Sequence, residues 1–210
     1  MFGRDEHHVA VRIGEAEGEH LHHYFRLVDR GLRDLAPQVF ERKADRIQDL
    51  YRAQGITFDH HGAEHTFPFD LLPRVIPANE WEHLDRGLRQ RVRALDRFAA
   101  DVYGDRLCVH EGVVREGLIS TSGGYRREAH AVRPPGDRWV HLAGIDLVRG
   151  DDGRYMVLED NLRVPSGASY MLANRRVMTR LFPQLLTGRR VQLVEQYPDM
   201  LLRTLQSLSP

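Results

Sequence analysis

At 210 residues, 41% hydrophobic and 29% charged, the chain is long enough to bury a core and too apolar for wholesale disorder. Its 30 basic side chains balance 30 acidic ones, so no global field points to nucleic acid. Cys108 is the only cysteine, which excludes an internal disulfide and a cysteine-based zinc site. No stretch approaches the run of about 18 apolar residues that a spanning helix needs. The start, M-F-G-R-D-E-H-H, lacks the features of a signal peptide, so no membrane partner and a cytoplasmic setting are expected.

In chain order, residues 1–20 show no sustained period and read as a poorly structured leader. Residues 21–104 read as a mainly helical part. Val39, Phe40, Ala44, Ile47, Leu50 and Tyr51 recur at helical spacing, and Gly55 stands where a helix C-terminus favours glycine. Ile56 to Phe58 reads as a short strand, and Phe67 to Arg74 as a second strand or a packed connection. Asn79 and Glu82 suggest a capping box opening a long helix, with Trp81, Leu84, Leu88, Val92, Leu95, Phe98 and Val102 as its apolar stripe and Gly104 as its stop. The histidines at 7, 8, 20, 22, 23, 60, 61 and 65 match no standard metal spacing and are expected to be solvated.

Residues 105–210 read as a β-rich part with C-terminal helices. The overall expectation is an α+β fold, a helical N-terminal part followed by a mixed or antiparallel sheet with flanking helices. Leu107 to His110, Gly117 to Ser120 and Trp139 to Leu142 look strand-like. The T-S-G-G-Y turn at 121–125, followed by Arg126 and Arg127, presents backbone amides and guanidinium groups suited to a phosphate or a carboxylate.

The most informative stretch is 144–169. Asp152-Gly153 between β-prone runs predicts a hairpin. A two- or four-residue loop there sets Asp146 opposite Glu159, with Asn161 on the same face. The other face, Ile145, Leu147, Met156 and Leu158, would pack on a core. Opposed carboxylates repel unless a cation, a shared proton or an arginine intervenes. Two carboxylates and an amide suit magnesium, which takes few protein oxygens and completes its shell with phosphates. Arg149 or Arg163 pairing with the acids in a surface salt network is the alternative.

The run G-I-D-L-V-R-x-x-x-G-R-Y-x-V-L-E-D-N-L-R-V-P-S-G-A-S-Y resembles the metal-binding hairpin of the ATP-grasp ligases. With F-D-L-L-P-R at 69–74, the helix at 80–95, D-V-Y-G-D at 101–105 and 163–178, it is similar to the circularly permuted, type 2 ATP-grasp proteins over about residues 37–200. It is more distantly similar to glutathionylspermidine synthetases, from which it departs at Gly144, where that pattern has arginine. The resemblance implies a carboxylate–amine ligase that uses ATP and Mg2+ and works through an acylphosphate, on small-molecule or peptide substrates. It implies Asp146, Glu159 and Asn161 as metal ligands, Arg126 and Arg163 as catalytic groups, and Ser166 and Gly167 as cofactor-binding. The family's nucleotide-clasping C-terminal lobe is not found before Pro210, and Lys43, the only lysine, stands too far upstream to replace its basic residues. The expectation is therefore a component inactive without that lobe, with a second polypeptide supplying it. A non-catalytic remnant or partner-binding module, and a magnesium nuclease, are the alternatives.

Overall fold

A computed structural model describes residues 26, 28–33, 35–60, 62–71, 73–187 and 190–209. The expected leader at 1–20 lies outside the described residues.

Helix α1 (Pro37–Ala53) begins with proline, whose missing N–H costs nothing in a first turn. It ends as Gly55 turns the chain at φ +64°. Strands β1 (Thr57–His60) and β2 (Ala63–Thr66) pair antiparallel from Thr57–Thr66 to His60–Ala63. The Phe67 segment is thus the packed connection of the two alternatives. Phe67 and Phe69 meet Tyr51 at 6.5 and 5.7 Å between ring centroids.

Helix α2 (Ala78–Tyr103) is the long helix the apolar stripe predicts. Its expected capping box does not form. Pro77 occupies the N-cap in extended geometry with no side-chain cap bond, and Asn79 is already helical. Leu84, Leu88, Val92 and Leu95 are half-buried and Val102 buried, whereas Trp81 and Phe98 are exposed. At Gly104 a Cβ would meet the Ala100 carbonyl oxygen at 2.9 Å, a close backbone approach that only glycine permits.

Two segments that look strand-like are helical: α3 (Leu107–His110) and α4 (Glu116–Ser120). At α3 the reason is a local cap. The Asp101 carboxylate accepts from the Leu107 and Cys108 amides at 2.8 and 2.9 Å, satisfying the first donors of α3. In α4 the Leu118 and Thr121 amides donate to the Arg115 and Gly117 carbonyls at 3.0 and 3.1 Å, closing a single turn. Trp139–Leu142 forms no strand either, and its first two amides are taken by a side chain of α2 described below.

Strands β3 (Gly144–Arg149) and β4 (Tyr155–Asn161) form the second antiparallel pair. Helices α5 (Gly167–Leu181) and α6 (Tyr197–Leu208) follow. The core lies between α1 and the end of α5: Ile47, Tyr51, Val177, Met178, Leu181, Phe182 and Leu185. The α+β reading holds, with the sheet content confined, among the described residues, to two small antiparallel pairs.

Candidate functional site

The tip of the β3–β4 hairpin is not the even loop that its Asp-Gly suggests. Arg149 pairs with Tyr155, leaving five residues, 150–154, in the turn. The Gly150 amide donates to the Arg154 carbonyl at 2.9 Å, and Gly153 adopts φ +75°. This odd loop reverses the facing of the strands near the tip. Leu147 pairs with Val157 and Val148 with Met156, so Tyr155 and Val157 turn inward and Met156 turns out. A bulge at Leu158 then absorbs one residue, after which Asp146 pairs with Glu159 and Gly144 with Asn161. The expected apolar face is therefore corrected: Ile145 and Leu147 are partly covered, but Met156 and Leu158 are 53% and 72% exposed beside the acids.

Asp146, Glu159 and Asn161 come together on the open face, as the spacing suggests. The Asn161 side-chain amide donates to Glu159 Oε1 at 2.8 Å. Partial desolvation, then the shared hydrogen bond and charge of Glu159, hold the Asp146 carboxyl above the usual carboxylate range. Neither candidate arginine relieves this pair. Arg149 is engaged with Glu80 at 2.8 Å on the opposite side, and Arg163 is exposed with no ion pair among the described residues. Two carboxylates and an amide oxygen, one carboxyl already biased toward its proton, form a donor set that fits a hard cation. Among the described residues no three His, Cys, Asp or Glu side chains form a metal cage, so any cation here would draw further ligands from elsewhere.

The turn after β4 brings a helix start to this face. A Cβ on Gly144 would lie 2.6 Å from Pro165 Cβ and 3.7 Å from Asn161 Cβ, so Pro165 fills the place of a side chain opposite Asn161. The arginine of the glutathionylspermidine synthetase pattern has no room here. Ser166 is the N-cap of α5 and its carbonyl accepts from the Ser169 amide and hydroxyl at 3.0 and 2.7 Å. Gly167 opens the helix, and nothing lies within 4 Å of where its Cβ would be. An exposed helix N-terminus beside paired acids suits a metal–phosphate ligand, because its free amides favour anions. Tyr170, in the same motif, stacks on Phe67 at 4.0 Å and donates to the Thr57 carbonyl at 3.0 Å, tying α5 to the first hairpin.

Arg126 is turned onto its own loop. Its Nη1 donates to the Gly123 and Tyr125 carbonyls at 2.8 and 3.2 Å, and its amide donates to the Tyr103 hydroxyl. Tyr103 is stacked between Tyr125 and Trp139, at 5.4 and 4.7 Å. The T-S-G-G-Y turn is closed by a Tyr125 amide to Ser122 carbonyl bond of 3.0 Å. Lys43 is spent structurally: its ammonium donates to the Leu181 carbonyl at the end of α5 and lies 4.8 Å from the centre of the Phe182 ring.

Sequence reasoning missed three residues of α2. Glu80 holds Arg149, Arg91 grips Asp160, and Asp96, buried, accepts from the Trp139 and Val140 amides at 2.8 Å each. Arg91 pulls the Asp160 carboxyl below its usual range. The available signal was Asp160 itself, since strand alternation turns it inward between Glu159 and Asn161, where a charge needs a partner.

An α+β fold whose acid-bearing hairpin feeds a helix start is consistent with part of an ATP-grasp fold. Residues 73–210 match the family described as circularly permuted ATP-grasp type 2, and the chain belongs to that family. An uncharacterized protein of Mycobacterium leprae is 46% identical over 177 residues, which are 83% of this chain and 32% of that protein. One from Synechocystis is 41% identical over 180 residues, 84% of this chain and 37% of the other. A protein of Frankia casuarinae named "Putative glutamate--cysteine ligase 2-2" is 39% identical over 188 residues, 89% of this chain and 22% of the other. The chain thus spans about a third of the length of the Mycobacterium leprae and Synechocystis relatives, and less of the Frankia one. No helix among the described residues is long and apolar enough to cross a membrane.

Proposed function

We propose that the chain supplies the magnesium-binding wall of an ATP-dependent carboxylate–amine ligase. The observation that carries this reading is the pair Asp146–Glu159, which has no ion-pair partner among the described residues and is joined by Asn161 on an open strand face beside the start of α5. Asp146, Glu159 and Asn161 would hold Mg2+, which would supply positive charge to offset the charge that develops as the γ-phosphoryl of ATP moves. The amides of Ser166 and Gly167 at the start of α5, and the exposed guanidinium of Arg163, would orient phosphate or carboxylate oxygens. Arg126 would serve the same end from its loop only after releasing the Gly123 and Tyr125 carbonyls.

The reaction class is amide formation. A carboxylate oxygen of one substrate takes the γ-phosphoryl and ADP leaves. An amine then attacks the acyl carbon, phosphate departs with the C–O bond, and the amine gives up a proton. The naming of the Frankia relative supports a carboxylate and an amine as substrates, small molecules or peptides.

A second wall would be needed to cover the face, because Met156 and Leu158 stand exposed around the acids. We place that wall in further polypeptide, in the same chain or another, as the greater length of the relatives supports. The test is ATP-dependent amide formation by the chain alone and with the remaining portion of the Mycobacterium leprae relative added. Turnover that requires the addition and is lost in Asp146→Asn is expected. Turnover indifferent to Asp146→Asn would overturn the assignment.

A further inference from the structure

Helix α2 and the acidic hairpin are fastened like two parallel rods. At the tip, both oxygens of Glu80 accept from Arg149 Nη2 at 2.8 Å. Arg149 is itself braced by a bond from Nη1 to the Gly153 carbonyl, 3.1 Å, and lies 4.4 Å from the Tyr155 ring centre. Further along, Arg91 donates through Nε to Asp160 Oδ1 at 2.8 Å and through Nη2 to Oδ2 at 2.6 Å. Glu80 and Arg91 lie three helical turns apart, about 16 Å, and so share a face. Tyr155, which pairs with Arg149, and Asp160 lie about the same distance apart along β4. The two spacings match, so one straight helix engages both ends of the strand.

The position of the second fastening matters because of the bulge. Leu158 lies between the two clamps, and a strand beyond a bulge has two competing registers one residue apart. In the observed register Asp160 faces α2, and Glu159 and Asn161 face outward. In the slipped register Asp160 would turn out, lose Arg91, and carry Glu159 to the inner side. The 2.6 Å fork to Arg91 therefore weighs directly on which register is occupied.

We propose that Arg91, acting through Asp160, is a positioning residue that locks the register of β4 and so holds Glu159 and Asn161 on the open face. The proposal rests on the reading of that face as a cation site, and its test separates the two. Mn2+ affinity is measured by electron paramagnetic resonance on the 210-residue chain, with hydrogen exchange of the β4 amides measured in parallel without metal. Arg91→Met and Asp160→Asn are expected to weaken Mn2+ by about tenfold and to speed exchange in β4. The paired reversal, Arg91→Asp with Asp160→Arg, is expected to restore both.

Asp146→Asn serves as the metal control. If it binds Mn2+ as the wild type does, the cation reading fails and exchange alone decides the lock: faster exchange in Arg91→Met supports it, unchanged exchange overturns it. If Asp146→Asn loses Mn2+ while Arg91→Met binds at wild-type strength, the lock is overturned and the cation site stands. Should Arg91→Met not fold, Arg91→Lys keeps the charge without the fork. Intermediate affinity and exchange then support the lock, and wild-type values for both overturn it.

Discussion

Asp146 faces Glu159 because Leu158 does not take part in the ladder. Had the pairing at the tip continued unbroken, Asp146 would oppose Leu158 and the Glu159 carboxylate would point into the protein. The bulge converts an odd turn into a register that exposes both acids on one face. It also leaves a cost, since cross-strand like charges oppose folding.

That cost gives the first prediction. Without divalent cation, Asp146→Asn should be more stable than the wild type at neutral pH by about 0.5 kcal/mol, reduced as salt screens the pair. The pH dependence has a definite sign. A carboxyl whose folded value is raised contributes its stability below the ordinary value and loses it as pH rises through the raised one. The difference between variant and wild type should therefore grow between acidic and neutral pH. Urea unfolding at pH 4 and pH 7 checks this, and a difference that shrinks toward neutrality would contradict it.

Gly144 should not tolerate a side chain. Gly144→Ala would push on Pro165 Cβ, a ring atom with little freedom to move, and should cost about 1–3 kcal/mol. Gly167→Ala makes the comparison, because its Cβ enters open space at the start of a helix and should stabilise by about 0.5 kcal/mol. Thermal unfolding of both variants distinguishes them. If backbone amides of Gly167 receive a phosphate, the same stabilised variant should bind ATP more weakly.

Tyr51 links the core to alkaline pH. Wholly buried, with its hydroxyl donating to the Asn174 side chain, it has its ionisation pushed by burial up to about 12. A raised folded value means full stability below the ordinary value near 10, and loss as pH rises from there toward 12. The loss should reach about 3 kcal/mol. Tyr51→Phe should be less stable at pH 7 by about 1 kcal/mol yet show a shallower fall between pH 10 and 12. Denaturant midpoints across that range test the crossing trends.

Cys108 reports on the cap of α3. Its hydrogen bond to Asp101, and then its own burial, raise the thiol above its ordinary value, which keeps the thiolate scarce. Asp101→Ala removes the acceptor for the thiol and for two helix amides. It should speed alkylation of Cys108 severalfold and cost about 1 kcal/mol of stability. Iodoacetamide kinetics on this single thiol, under native conditions, provide the measurement; an unchanged rate would rule out the hold of Asp101 on the thiol.

The sequence by itself determined the elements whose signals are local. The helical periods of α1 and α2, the Gly55 stop and the hairpin around Asp152-Gly153 depend on spacing and turn chemistry within a few residues. It also determined the family, because several motifs had to agree, and it brought Asp146, Glu159 and Asn161 onto one face. Only the tertiary structure decided how that face arises. The odd loop and the Leu158 bulge displace the apolar residues by one position, an effect invisible to a period-two pattern that assumes an unbroken ladder. The same limit hid α3, where the cap from Asp101 outweighs β-prone composition. It hid Glu80, Arg91 and Asp96 as well. Their partners lie tens of residues away in the chain, and a charged side chain on a helix looks solvated until packing sets an opposite charge, or a pair of backbone amides, against it.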